Sequence, residues 1–396
     1  MTRILSLLLC LSIGSVLAAQ TPKNQAKQLA QWLKRFPQAD TNKDGKLSIA
    51  EANAFRKKLR GGNQQRGVAR NFQVDPGWDA ERFPAHAACY LSAEELKKLN
   101  GGKAQSFPKP TDGGLRIVGT GHSFMAPGYK TLPIICRAAG FEQPLHLHTG
   151  GGMTGSARYK WEQENGVFQF DRKPKPRLLS AIANGQWEAM MWGPYYRDRP
   201  IYYSCWIDFC LKYNPDMKFY LSDAWPQLEQ FDSAPQSEDA LTAEAFARLG
   251  REKREMYAKQ IRELDEKYPG KVFIMPTSDA MVLAVEHYHR GELPGVEGIN
   301  RAIGGKERSL WRDPLGHLGP GLERLEGYVF YATIYGRSPE LLPKKIAFDR
   351  GQATDFPSPE LDAVFRKIAW QAVSNHPLSG VRDKNQDGVS DSLQKE

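Results

Sequence analysis

The chain has 396 residues, with 54 Lys and Arg against 45 Asp and Glu, for a formal net charge of +9. That length suits one large domain plus a small one. The basic residues are scattered, with one modest cluster at Arg56, Lys57, Lys58 and Arg60. The aromatic-basic interleaving that binds single strands is absent, which argues against a nucleic-acid partner and leaves a weak attraction to acidic polysaccharide.

The first residues, MTRILSLLLCLSIGSVLAAQ, read as a secretory signal over 1–19. Arg3 opens it, Ile4 to Leu17 supply an apolar stretch, and Ala18–Ala19 form a small-residue cleavage site. The stretch is short for a membrane span, and no later segment approaches one. Leu9 before Cys10 is too bulky for lipoprotein processing. The expectation is a secreted or periplasmic protein whose mature chain has no transmembrane segment; a retained N-terminal anchor is the alternative. Beyond the leader stand Cys89, Cys136, Cys205 and Cys210, an even count that permits disulfides. Cys205 and Cys210 fall in one predicted helix, five residues apart, beyond the roughly 7 Å Cα separation that a bridge spans. Buried free thiols are the plain alternative.

Residues 24–60 contain "DTNKDGKLSIAE", Asp40 to Glu51, which resembles the twelve-residue calcium loop of the EF-hand family. Asp40, Asn42 and Asp44 stand at the first, third and fifth ligand positions, with Gly45 at the sharp turn. Lys46 offers its backbone carbonyl and Glu51 two oxygens at the twelfth, while Ser48 at the ninth acts directly or through water. Leu29, Trp32, Leu33 and Phe36 precede the loop at helical spacing; Phe55 and Leu59 follow it. The cofactor implied is Ca2+. Residues 61–113, rich in Gly, Gln, Lys and Pro, read as an irregular connector holding one capped helix, "LSAEELKKLNGG".

From 114 to 378 the pattern alternates. Strands are predicted at Leu115–Val118, Pro144–His148, Trp187–Trp192, Met217–Leu221 and Val272–Met275. Helices are predicted at Leu132–Ala139, Leu178–Ala183, Ile201–Tyr213 and from about Thr242 to Lys267. This alternation implies an α/β fold with a doubly wound parallel sheet covered on both faces. In such sheets reactive groups collect at the carboxyl ends of the strands. Ser123 in "GTGHSFMAPGYK", Gly150–Gly152, Trp192–Tyr195 and Thr277–Asp279 fall there.

Late in the chain, "LWRDPLGHLGPGLERLEGYVFYATIYGRSPE" places Asp313 and His317 in a loop before an apolar helix. That block, with the early strand–"GHS"–helix unit, resembles the SGNH (GDSL-like) hydrolase family across roughly residues 114 to 376. The resemblance implies a three-layer, flavodoxin-like sandwich. It makes Ser123 the nucleophile, His317 its base and Asp313 the residue that orients the imidazole. It points to the Ser123 amide and Gly151 or Gly152 as oxyanion donors, and to His148 as a cleft residue. Two features depart from the family: three residues rather than two separate Asp313 from His317, and Tyr195 stands where the family has Asn. The α/β-hydrolase elbow fits less well, because Met125 takes the place of its second Gly.

Other readings stay open at this point. Ser123 is also a plausible turn or N-cap residue. His146 and His148, two apart on a strand, suit a zinc-dependent hydrolase; His287 and His289 fall on a helix, where such neighbours diverge. Trp192, Tyr195, Tyr196, Tyr202, Tyr203 and Trp206 form either a sugar-stacking wall or ordinary packing. The C-terminal stretch 379–396, with Asp383, Asn385, Asp387 and Asp391, is either a second calcium loop or a solvated acidic tail. The expected function is that of an exported, calcium-binding serine esterase acting on an acylated carbohydrate or other small ester. A non-catalytic calcium- or carbohydrate-binding protein on a degenerate hydrolase scaffold is the rival.

Overall fold

The computed structural model describes residues 29–30, 33, 37–52, 54–55, 92–102, 108–110, 112–149, 158–159, 162, 177–193, 200–348 and 356–394. The predicted leader, most of the connector, Trp32, Phe36, Leu59, Cys89, Gly150–Gly152 and Pro194–Tyr196 lie outside them. The chain divides into two compact units, residues 1–71 and 72–396.

In the first unit a 3-10 turn, Pro37–Ala39, leads into the Asp40–Glu51 loop, and residues 49–52 and 54–55 are helical. Ala39, Leu47 and Ala52 are buried together, with Leu29, Leu33 and Phe55 packed against them. These are the apolar positions that the helical spacing selects, so the loop is closed from beneath by a small apolar cluster.

The second unit is built on a five-stranded sheet in the order β2-β1-β3-β4-β5, all parallel: β1 Ile117–Gly121, β2 Leu145–Thr149, β3 Ala189–Trp192, β4 Lys218–Ser222 and β5 Val272–Met275. Alternation along the strands splits the core in two. Ile117, Ala189, Met191, Tyr220 and Met275 face one apolar cluster, whereas Val118, Met190, Trp192, Phe219, Leu221 and Ile274 face the other. The helices are α1 Ala93–Leu99, α2 Ala126–Ala138, α3 Arg177–Asn184, α4 Pro200–Tyr213, α5 Ala243–Lys267, α6 Thr277–His289, α7 Arg301–Gly304, α8 Leu322–Tyr335 and α9 Pro359–Asn375. Residues of α2, α6, α8 and α9 fill the first cluster, and those of α1, α3, α4 and the second half of α5 fill the second. The fold is therefore a doubly wound α/β sandwich. Among the described residues no helix is long and apolar enough to cross a membrane.

The elements differ from the sequence pattern in informative places. β1 extends through Gly119 to Gly121, where glycine read as a turn. A Cβ on Gly119 would stand 2.6 Å from the Leu147 side chain and 2.8 Å from the Tyr129 hydroxyl, so the glycine admits neighbours rather than ending the strand. α2 starts at Ala126, not Leu132, since Pro127 is harmless in a first turn, where its missing N–H has no partner to lose. A short parallel pair, β6 Gly298–Asn300 and β7 Ser309–Trp311, has no counterpart in the sequence reading, each strand being only three residues long. Within the predicted connector, α1 carries a capping box between Ser92 and Glu95 and buries Leu96 fully in the second cluster. Cys136, Cys205 and Cys210 are buried free thiols.

Close packing joins α2 to α8. A Cβ on Gly128 would overlap the Phe330 ring, and one on Gly327 would overlap the Thr131 hydroxyl. Thr131 Oγ1 also donates to the Glu323 carbonyl at 3.1 Å. Gly128→Ala is expected to destabilise the fold by about 1–3 kcal/mol through overpacking. Urea unfolding followed by circular dichroism measures this, and an unchanged midpoint would mean that the two helices have room to part.

Candidate functional site

Ser123 lies two residues beyond β1 and three before α2, at the carboxyl edge of the sheet. It does not cap α2: the N-cap position belongs to Met125, which makes no side-chain cap hydrogen bond. Ser123 is exposed, and its Oγ is 2.7 Å from His317 Nε2. His317 Nδ1 is 2.7 Å from Asp313 Oδ2. An ionised carboxylate only accepts, so Nδ1 carries the imidazole proton and Nε2 presents its lone pair to the serine hydroxyl.

The longer Asp–His spacing is absorbed by the loop itself. Asp313 Oδ1 accepts from the amides of Leu315 at 3.1 Å and His317 at 3.2 Å, while Gly316 N donates to the Asp313 carbonyl at 3.1 Å. One carboxylate thus closes the turn with one oxygen and orients the imidazole with the other. The base of the loop is held by Arg312 N to His317 O at 2.9 Å and Gly319 N to Leu310 O at 2.7 Å. From outside, Trp225 Nε1 donates to the Gly316 carbonyl at 2.8 Å and Asn300 Nδ2 to the Asp313 carbonyl at 3.2 Å. Phe124 stacks on Trp225 and meets the His317 ring edge-on, both at 5.0 Å between centroids. Trp225 and Asn300 were missed in the sequence reading. The available signal was position, since each falls at or just past the carboxyl end of a strand.

Of the candidate oxyanion residues, Gly151, Gly152 and Tyr195 lie outside the described residues. Gly193, in the Trp192–Tyr195 stretch but not among the oxyanion candidates, follows β3 directly and lies beside the serine turn: its amide nitrogen is 3.4 Å from the point a Gly121 Cβ would occupy. His122 Nδ1 accepts from Phe124 N at 3.4 Å, leaving its proton on Nε2, which is 3.9 Å from the Cβ point of Gly193. His148, expected in the cleft, is engaged elsewhere. Its Nδ1 pairs with the fully buried Glu162, which also accepts from the Leu178 and Leu179 amides at the start of α3, and Arg158 Nη1 is 3.4 Å from its Nε2. His146 faces Trp187 at 5.7 Å on the same side of the sheet. Trp192 and Tyr203, read as either a sugar-stacking wall or ordinary packing, stack on each other in the second core cluster, where Trp206 is also buried. Asp223, at the end of β4, accepts from Ser278 N at 2.8 Å; burial, reinforced by Asp279, raises its pKa to about 7.

The two acidic loops share one backbone. Lys43 and Gly45 have φ of 57° and 78°, and Gln386 and Gly388, at matching positions, 59° and 81°. Gly45 N donates to Asp40 Oδ2 at 3.0 Å and Gly388 N to Asp383 Oδ2 at 3.1 Å; Lys46 N and Val389 N donate likewise to Asp44 and Asp387. The second loop is no solvated tail: Ser338 N donates to Gly388 O and Ser390 N to Gly336 O, both at 2.7 Å, and Trp370 Nε1 donates to Asp383 at 3.0 Å. Asp391 accepts from Lys384 N, and Asn385 reaches Asp387 and Gln394. In the first loop Asp40 Oδ1 is buried without a hydrogen-bond partner. Glu51 accepts from Ser48 Oγ and N and from Thr41, bonds that draw its pKa down to about 2. Among the described residues no three His, Cys, Asp or Glu side chains converge on one point.

No family model matches the sequence, and no curated protein does. Two solved structures are similar. A DUF4886 family protein from Bacteroides uniformis has 11% identity and a TM-score of 0.41, covering 66% of this chain and 95% of its own. The periplasmic domain of a lipopolysaccharide acetyltransferase from Salmonella ser. Paratyphi A has 13% identity and a TM-score of 0.29, covering 62% and 96%.

Where α8 meets α2, Glu326 is fully buried and accepts from Gly128 N at 2.7 Å, an amide that the first turn of α2 leaves without a helical partner. Burial holds its pKa well above 4.5. The folded chain therefore keeps this proton where the unfolded chain has lost it, and the group's contribution to stability falls as pH rises above about 4.5. Glu326→Gln preserves an acceptor for Gly128 N and cannot ionise. Its stability relative to the parent is expected to grow between pH 5 and 9 in urea titrations; parallel curves would contradict a neutral buried carboxyl.

Proposed function

We propose that this chain is an exported, calcium-binding serine ester hydrolase of SGNH type that removes O-acyl groups from carbohydrate. The observation that carries the reading is the unbroken relay Ser123–His317–Asp313, in the tautomer that leaves Nε2 free to take the serine proton. Ser123 Oγ attacks the ester carbonyl as its proton passes to His317 Nε2. The imidazolium is stabilised by Asp313, and in this proposal the backbone amides of Ser123 and of the nearby Gly193 serve as donors to the developing oxyanion. His317 then protonates the departing alcohol, and the acyl-enzyme is hydrolysed by a water that the same imidazole activates.

Ser123→Ala and His317→Ala are each expected to lower kcat on 4-nitrophenyl acetate and on acetylated oligosaccharides by about 10⁴-fold or more, with little further loss in the double variant, since relay members act as a unit. Asp313→Asn is expected to cost about 10³-fold or more with the fold intact. A Ser123→Ala protein that still turns over any ester the parent cleaves would remove the serine from the mechanism.

Calcium belongs to the proposal through the Asp40–Glu51 loop. Asp40, Asn42, Asp44 and the Lys46 carbonyl would hold the ion, with Glu51 exchanging its hydroxyl partners for the metal. The orphaned Asp40 Oδ1 and the left-handed angles at Lys43 and Gly45 support the fit. Asp383, Asn385, Asp387 and Asp391 form the second candidate loop. Glu51→Gln is expected to weaken one calcium site at least tenfold by calorimetry while leaving turnover in place. Unchanged affinity would exclude the loop as that site.

A further inference from the structure

A cavity of about 330 Å³ opens beside the relay loop, between α2, the start of α8 and the segments that carry Phe348 and Phe356. Arg312 and Leu318, the residues on either side of the Asp313–His317 loop, both line it, so it borders the base of the relay loop. Among the described residues its lining holds four cationic side chains, Lys130, Arg301, Arg312 and Arg324, and one carboxylate, Glu323.

Among the described residues this positive charge is only partly paired. Lys130 is exposed and has no ion pair among the described residues. Arg324 approaches Asp362 at 3.4 Å, but that carboxylate is already taken at 2.8 Å by Arg366, so two guanidinium groups share one negative charge. Arg312 is 3.8 Å from Asp313 Oδ2, an oxygen that already accepts from His317. Arg301 alone has a close private partner, Glu307 at 2.7 Å, and most of that carboxylate is in solvent. Arg324 is also held in place by stacking, its guanidinium 4.2 Å from the Phe348 ring. A guanidinium fixed against an aromatic face presents its remaining N–H groups in a set direction, which suits the planar or trigonal oxygens of carboxylate and sulfate. The cavity lies at the small end of ligand-pocket sizes, enough for about one sugar unit.

We propose that this cavity is the subsite for an acidic sugar, and that the ester cleaved at Ser123 is carried by a carboxylated or sulfated saccharide. The proposal rests on the esterase reading above and names its substrate class. The chain's net charge of +9 acts in the same direction at longer range. The acyl group sits at Ser123 and His317, while the acid of the same or the neighbouring unit reaches Arg312, Lys130 and Arg324.

Two measurements on the full chain test this separately from the chemistry. The first is binding of non-acetylated oligogalacturonate and of a sulfated galactan oligomer to the Ser123→Ala protein by calorimetry, with a neutral xylan oligomer and oligoglutamate as comparisons. At least one acidic saccharide is expected to bind tenfold or more tighter than both comparisons, and Lys130→Glu and Arg312→Gln are each expected to weaken it about tenfold. The second is kcat/KM on O-acetylated forms of the same saccharides. The acidic one is expected to be preferred about tenfold at low salt, through KM, with the preference shrinking as NaCl is added. Equal affinity for neutral and acidic oligomers, equal affinity for oligoglutamate, or acidic binding unmoved by both substitutions would overturn the subsite even if esters are hydrolysed. Selective acidic binding without any hydrolysis would instead keep the subsite and remove the esterase reading.

Discussion

The site depends on the contact between α2 and α8. Ser123 feeds the first helix and the His317 loop feeds the second, so their separation is set by how closely those helices approach. Gly128 and Gly327 allow an approach that any side chain would block, and Glu326 meets the amide that the first turn of α2 leaves open. A buried carboxyl is costly when ionised and modest in cost when neutral and hydrogen-bonded. Here burial favours the neutral form, which accepts from the Gly128 amide in the first turn of α2. The 2.7 Å separation of Ser123 Oγ from His317 Nε2 is thus a consequence of core packing rather than of the loops alone.

The relay loop solves its own problem locally. One residue more than the SGNH pattern would push the imidazole away from its acid if the intervening chain were extended. Instead the Asp313 carboxylate folds the chain back on itself by accepting two of its amides. Trp225 and Asn300 then hold the two loop carbonyls, which would otherwise be free to tip the turn. Orientation of the histidine is therefore secured by backbone hydrogen bonds as well as by the carboxylate, the type of support that keeps a catalytic group in one geometry.

The same acidic loop pattern recurs in both units, and the two backbones agree in their left-handed angles at matching positions. They differ in what surrounds them. The first is backed by the small cluster of Ala39, Leu47 and Ala52, and the second is bolted to the end of α8 and to Trp370. An ion in the second loop would therefore brace the last helices of the α/β unit. In the first it would tie together residues whose apolar support is slight.

Much of the fold was legible in the sequence because periodicity is local. Alternating apolar runs and helical stripes marked five strands and the helices between them, and the early serine stood where sheet topology collects reactive groups, whereas the late Asp–His block was marked only by its resemblance to a family pattern. The turns of the acidic loops were legible too, since their acidic residues and turn glycine fall within one short stretch of chain. What the sequence could not contain was distance between remote residues. That Ser123 meets His317 across 194 positions, that His148 turns to Glu162, that Gly193 ends beside the serine turn, and that four cations gather around one cavity all follow from which helices pack together. Those pairings are decided by the fit of glycines, aromatic rings and buried carboxyls from separate segments. Only the tertiary structure brings such segments into contact.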